Sequence, residues 1–291
     1  LFEWIAGKAP IIKNVYPPLR AFRTWLREMG LRILARALLL GVYLGLCYAL
    51  GEFASNSWKL NAVIAWIIAY LLFAFGAWTL SYRLIAHMRP VNEKLRRLIT
   101  EVYPDPTLRA YEFQSAIPNA WAMPTTNSLL FSSAILETLN EEEQKAIVSH
   151  EVAHLQESKL HVLLRLLPGM LMLPLLILIF AAVKENALYG LSAALAVVFL
   201  FGRFTRGLSE KLEIVADKKT ASFGTDPAVY ARALTKIYEA ALIPATLPRR
   251  GKTHPDLYER VLAAGVTPAF ERPLSPPKRQ LYFGALFSIV I

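Results

Sequence analysis

The chain of 291 residues is 55% hydrophobic and only 19% charged, with a mean hydropathy of +0.38, which excludes both an ordinary soluble domain and a disordered chain. Lys and Arg outnumber Asp and Glu by 32 to 22, a net charge of +10. Where those charges fall decides between nucleic acid, anionic lipid and cytoplasmic loops. The single cysteine, Cys47, lies in an apolar run and cannot form an internal disulfide, so neither a disulfide scaffold nor an oxidising compartment is implied.

In chain order, the first apolar run is Ala37 to Gly51, extended by Ile33, Leu34 and Ala35 if Arg36 snorkels; it predicts a spanning helix, with a buried or hairpin helix as the alternative. Leu60 to Tyr82 carries no formal charge over about 23 residues, enough to cross ~30 Å of hydrocarbon. Leu166 to Val183 and Asn186 to Gly202, separated by Lys184 and Glu185, predict a membrane hairpin whose first arm Pro168 and Pro174 would kink. Arg20, Arg23, Arg27, Arg32 and Arg36 precede the first run; Arg83, Arg89, Lys94, Arg96 and Arg97 follow the second; Arg203 and Arg206 follow the fourth. The loops at 52–59 and 184–187 are almost neutral, so the positive-inside rule puts 83–160 and 203–280 in the cytoplasm. The basic excess is then topological, and no nucleic-acid partner is expected.

The expected organisation is a cytoplasmic segment at 1–32, two transmembrane helices within 33–82, and a cytoplasmic domain made of 83–165 and 203–280. A transmembrane hairpin at 166–202 is inserted in that domain, and 281–291 is expected to begin a further membrane segment. Within the domain, residues 113–132 predict two short strands around a turn at Pro124 to Asn127, and Pro118 and Pro124 confine the first strand to a sheet edge. Asn140, followed by three glutamates, starts a helix with Glu143 at the capping-box position, running through His150 to about Lys159. Thr225-Asp226-Pro227 opens another helix, with Val229, Tyr230, Leu234, Ile237 and Tyr238 on one face, and a last one runs from about Asp256 to a Gly265 cap.

H-E-V-A-H at 150–154 lies inside the helix that Asn140 begins, so His150 and His154 project from one face and can offer two imidazole nitrogens to one metal, with Glu151 turned toward a bound water. A catalytic zinc needs a third protein ligand and an open position. In the segment 206–222, Glu213 and Asp217 stand one helical turn apart, so Glu213 could bind the metal while Asp217 takes the other ring N–H of a ligand histidine. On spacing alone, a solvated charged helix face explains that pair equally well. His87 and His161 lie at the ends of apolar runs and read as interfacial rather than ligating.

H-E-V-A-H, then E-I-V-A-D after a membrane hairpin, preceded by N-A-W-A at 119–122 and followed by T-H-P at 253–255, resembles the integral-membrane zinc metallopeptidase family of HtpX and the CAAX prenyl endopeptidases. The likeness covers about residues 110–265, and the two upstream apolar runs resemble the HtpX layout in particular. It implies an α-helical membrane protein with an α+β zinc metallopeptidase domain of the gluzincin type, mostly α with a small β-sheet. It also implies one zinc held by His150, His154 and Glu213, Glu151 as general base, and His254 as oxyanion donor. Asn119, Ala120, Trp121 and Ala122 would form an edge strand that aligns substrate, although Trp121 could equally be a packed aromatic. The chain departs from many members in having Ser209-Glu210 where they carry Ser-Arg.

The implied activity is a membrane endopeptidase of protein quality control, acting on membrane proteins or membrane-proximal peptides, with its catalytic domain facing the cytoplasm in the inner or plasma membrane of a prokaryote. A CAAX-type processing protease and a catalytically silent membrane regulator of the same fold are the alternatives. A sensor-transducer of the antibiotic-receptor type is disfavoured because no extracellular sensor domain is evident.

Overall fold

Each long uncharged run forms helix in the computed structural model, which describes residues 30, 33, 37–49, 58–115, 117–182, 187–241, 255–268 and 271–272. Helix α1 (Ala37–Ala49) is apolar but, in its described part, shorter than a full crossing. The second run is divided into α2 (Trp58–Leu72) and α3 (Trp78–Ile85) by a wide turn at Phe73–Ala77, where Gly76 adopts φ +135°. Only glycine takes that conformation without strain. The break leaves backbone carbonyls without helical partners, and hydroxyls replace them: Thr79 Oγ1 donates to Gly76 O at 2.7 Å and Thr125 Oγ1 to Ala74 O at 2.7 Å.

Strand β1 (Arg89–Pro90) and helix α4 (Glu93–Val102) follow, the helix capped by Asn92 Oδ1, which accepts from Leu95 N at 2.9 Å. Then come β2 (Arg109–Phe113), β3 (Ala120–Met123), β4 (Ser128–Ser132) and a short α5 (Ser133–Thr138). The sheet has the order β1-β2-β4-β3, with β2 and β4 parallel and the other pairs antiparallel. The expected pair of strands around 124–127 is present as β3 and β4, with Asn127 in the left-handed region at φ 46°. β1 and β2 had no expectation: two residues carry no periodicity, and R-A-Y-E-F reads as polar. Its Glu112 is satisfied by Arg89 Nη2 at 3.1 Å. Alternation splits the sheet's two faces. Ala110, Ala120, Ala122, Leu129 and Phe131 join the main core, while Tyr111, Phe113, Trp121, Met123 and Leu130 pack on Trp78 and Tyr82 of the membrane helix α3.

Helix α6 (Glu141–Leu155) starts as anticipated, with a complete capping box, but the expectation of one helix to Lys159 needs correction. The Gln156 N–H turns back to the carbonyls of His154 and Val152, and Ser158 caps a new helix by accepting from His161 N at 3.3 Å. This is α7 (Lys159–Ala182), so no single rod joins His154 to the membrane run. α7 packs on α2 so closely that a Cβ at Gly169 would overlap the Tyr70 ring, and Trp66 Nε1 donates to Gly169 O at 3.1 Å. Helix α8 (Ala187–Thr220) then runs unbroken from the expected fourth span through Glu213 and Asp217, so the boundary placed at Gly202 falls inside a helix. Among the described residues, Leu60–Leu80, Lys159–Ile179 and Leu188–Phe223 are long and apolar enough to cross a membrane.

Helix α9 (Pro227–Ala240) is capped by Asp226 and α10 (Leu257–Ala263) ends at Gly265 with φ +88°, as their sequences predict. Val148 and Val152 of α6, Tyr230 and Leu234 of α9, and Leu257 and Val261 of α10 meet Leu95 and Leu129 in one core. His254, the turn at Lys184 and Glu185, and the segment 281–291 lie outside the described residues.

Candidate metal centre

The site forms where α6 crosses α8. The capping box fixes the start of α6: Glu143 N donates to Asn140 Oδ1 at 2.9 Å, Asn140 N to Glu143 Oε2 at 3.0 Å, and Lys236 Nζ of α9 pairs with Glu143 Oε1 at 2.7 Å. With the helix start and its core face set, His150, Glu151 and His154 are buried together. His150 Nε2 lies 3.2 Å from His154 Nε2 and 3.6 Å from Glu213 Oε2, and His154 Nε2 lies 3.4 Å from Glu213 Oε1. The ligand atoms of the three residues all fall within 4.8 Å of one another.

Those spacings suit one ion. A tetrahedral zinc bound at ~2.0–2.1 Å to nitrogen and oxygen sets its donors about 3.3 Å apart. The opposite ring nitrogens are already committed. His150 Nδ1 is 2.8 Å from Tyr230 Oη and 3.2 Å from Asp217 Oδ1, and His154 Nδ1 is 2.6 Å from Glu157 Oε1. With Nδ1–H donated on both rings, two Nε2 lone pairs and a carboxylate converge on one point, the donor set of a single metal ion. The charges agree: Glu151, Glu157, Glu213 and Asp217 gather at the site, with Arg165 paired to Glu157 and Arg260 to Glu213 and Asp217.

Behind His150, Asp217 stands in a network with Arg260 and Tyr230, two residues that the sequence did not assign to the site. Arg260 donates to Asp217 through Nε to Oδ2 at 3.0 Å and through Nη2 to Oδ1 at 2.8 Å, and the same Nη2 lies 3.4 Å from Glu213 Oε2. Nη2 also reaches His150 Nε2 at 3.3 Å. Tyr230 Oη accepts from Arg260 Nη2 at 2.9 Å and donates to Asp217 Oδ1 at 2.5 Å, while its ring stacks on His150. Burial pushes the Tyr230 phenol well above its usual 10, and the Asp217 carboxylate adds to the rise against the opposing Arg260 charge, so it remains a donor. Burial lowers the proton affinity of His154, but hydrogen bonds to Glu157 and Glu213 and the charge of Glu151 outweigh it and raise the pKa to about 10. His150 is raised in the same sense by Asp217 and Glu213 against burial. Both rings thus sit where positive charge is favoured.

Among the described residues His150, His154 and Glu213 make up the one metal-competent cluster, and His87 and His161 are not part of it. The strand β3 lies at the sheet edge and packs against α6. Ser132 N donates to Asn119 O at 2.9 Å, so by antiparallel alternation the backbone groups of Ala120 and Ala122 turn outward from the sheet. Trp121 stacks on Phe113 at 5.1 Å and meets Tyr82 edge-on, on the face away from α6. Two cues to the missed residues were present: Arg260 falls on the apolar face of α10 between Leu257 and Val261, and Tyr230 is, with Tyr238, one of two hydroxyls on an otherwise apolar face.

The model of Peptidase family M48 matches residues 86–265, which contain the whole of this arrangement. The chain belongs to peptidase family M48. The fold is similar to the crystal structure of Ste24p from S. mikatae, with a TM-score of 0.64 and 16% identity over 83% of this chain and 66% of that one. The chain spans about two thirds of that structure's length, and its three long apolar helices mark it as a membrane protein.

Proposed function

We propose that this M48 chain is a zinc-dependent membrane endopeptidase that cleaves membrane or membrane-proximal proteins in protein quality control, with its active site on the cytoplasmic side of a prokaryotic inner or plasma membrane. The observation that carries the reading is the convergence of His150 Nε2, His154 Nε2 and Glu213 on one point, with Glu151 buried beside them. One zinc per chain would be held by these three side chains, and when bound it supplies an acidified water and a polarised scissile carbonyl. Glu151 accepts the water's proton and returns it to the leaving amine. The outward backbone of β3 at Ala120 and Ala122 aligns an extended substrate by strand addition, with Asn119 and Trp121 fixing the strand from its other side. By the family resemblance, His254 donates to the developing oxyanion.

The test uses the full chain in detergent or lipid, with casein, a destabilised membrane protein and a farnesylated CAAX peptide as substrates. Wild type should cleave the first two and carry one zinc. Glu151→Gln should keep the metal and lose roughly a hundred- to ten-thousand-fold in turnover. Cleavage of the farnesylated peptide alone would replace quality control by CAAX-type processing. Wild-type protein without zinc or hydrolysis would leave the silent-regulator reading.

A further inference from the structure

We infer that Glu157, held by Arg165 from the first turns of the membrane helix α7, is a positioning residue for His154 and ties this second histidine to the membrane segment. The inference rests on the zinc reading above and concerns two residues that lie outside every motif of the sequence.

Glu157 stands in the short turn between α6 and α7. Its Oε1 lies 2.6 Å from His154 Nδ1 and accepts from Arg165 Nη2 at 2.9 Å. The side chain is 7% exposed although the turn around it is open to solvent, with Gln156 and Ser158 both exposed. Its second oxygen, Oε2, is buried with no hydrogen-bond partner among the described residues. A half-satisfied buried carboxylate is a liability that a simple connecting turn has no need of. What it does secure is the tautomer of His154: with the Nδ1 proton given to Glu157, the Nε2 lone pair faces Glu213 and the other histidine. The turn is held from a second side as well, because Lys219 Nζ, near the end of α8, donates to Gln156 Oε1 at 2.6 Å. Both arms of the membrane hairpin therefore grip the link between the ligand helix and α7.

His150 and His154 thus have separate supports. His150 is braced by Asp217, Tyr230 and Arg260 within the soluble core. His154 is braced by a carboxylate whose counter-ion rides on a membrane helix.

Zinc affinity of the full chain, measured by competition with a chromophoric chelator, tests this. Glu157→Ala should bind zinc about 10- to 100-fold more weakly than wild type. Glu157→Gln, which keeps shape and an acceptor oxygen but no charge, should fall between the two. Arg165→Leu should weaken zinc several-fold, Arg165→Lys should recover most of the loss, and Glu157→Ala with Arg165→Leu should be no weaker than Glu157→Ala alone. The absorption bands of the cobalt-substituted protein should shift in Glu157→Ala and Glu157→Gln, which a purely structural role would not produce. Zinc affinities of both Glu157 variants within twofold of wild type, in a protein that loses zinc on His150→Ala, would overturn this inference and leave the zinc reading standing. A wild type that binds no zinc would remove both.

Discussion

At the scale of single residues, the strongest dependence falls on Arg260. It is buried, and it gives two nitrogens to Asp217, which is more deeply buried still. Removing it leaves an uncompensated carboxylate against His150, so Arg260→Met should lower stability by about 3–5 kcal/mol, read from the thermal or denaturant midpoint in detergent. A loss below about 1 kcal/mol would mean that the pair is solvated in the folded protein. Tyr230→Phe is gentler. It keeps the ring stacked on His150 and leaves Asp217 with Arg260, but His150 Nδ1 loses one of its two partners. Zinc affinity should fall roughly tenfold with little change in melting temperature. The contrast between these variants reflects what the sequence disclosed. His150 and His154 were legible because a helical turn places them on one face. The spacing of Glu213 and Asp217 suited a solvated face equally well, and the ligand role of Glu213 came from the family resemblance. Arg260 and Tyr230 were not legible, because periodicity reports which face of a helix is inside but not what that face meets. Glu157 escaped notice because H-E-V-A-H was read as lying within one helix that continued to Lys159.

At the scale of elements, the N-terminus of α6 carries a pH dependence. Burial raises the Glu143 pKa, but hydrogen bonds from Lys236 and the Asn140 N–H, with the charges of Lys236 and Arg232, outweigh it and hold the carboxyl below its ordinary 4.5. A depressed folded value stabilises the protein above the unfolded one, and that stabilisation is lost as pH falls through the folded value. Stability should therefore decline as pH drops below about 4.5, and Glu143→Gln should be less stable than wild type at pH 7 with the gap closing in acid. Parallel melting curves across that range settle it, and a constant gap would exclude Glu143 as the source. Gly76 sets a second limit, since φ +135° admits no L side chain without strain; Gly76→Ala should cost about 1–3 kcal/mol in the same measurement. Neither the break at Gly76 nor the one at Gln156 to Ser158 could be read from hydropathy, because an apolar run reports that a segment is buried or in lipid, not whether its backbone is continuous. The strands β3 and β4 were legible from their prolines and turn. The parallel neighbour β2 was not, because its pairing with β4 is non-local.

At the scale of the whole molecule, the arginine clusters predict which side of the membrane each loop faces. Single cysteines introduced in a Cys47→Ser background report them directly. Ser55→Cys and Asn186→Cys should react with an impermeant maleimide added to intact cells, while Glu142→Cys, exposed at the start of α6, should react only after permeabilisation. The reverse pattern would place the peptidase domain outside.

The unbroken course of α8 makes the bilayer part of the active site's geometry. With the span ending near Gly202, as the sequence predicts, Glu213 would lie about 11 residues, or about 17 Å, beyond the lipid on the same helix. A span answers a change in bilayer thickness mainly by tilting. A tilt of about 5° would swing Glu213 by about 1.5 Å, several times the ~0.5 Å within which a catalytic constellation must be held. The break at Gln156 to Ser158 leaves α7 joined to His154 through the Glu157–Arg165 pair rather than through a continuous helix. Turnover after reconstitution should accordingly pass through a maximum as acyl chains are lengthened, and a flat profile would show that the soluble core, not the lipid, sets the angle at which α8 meets α6.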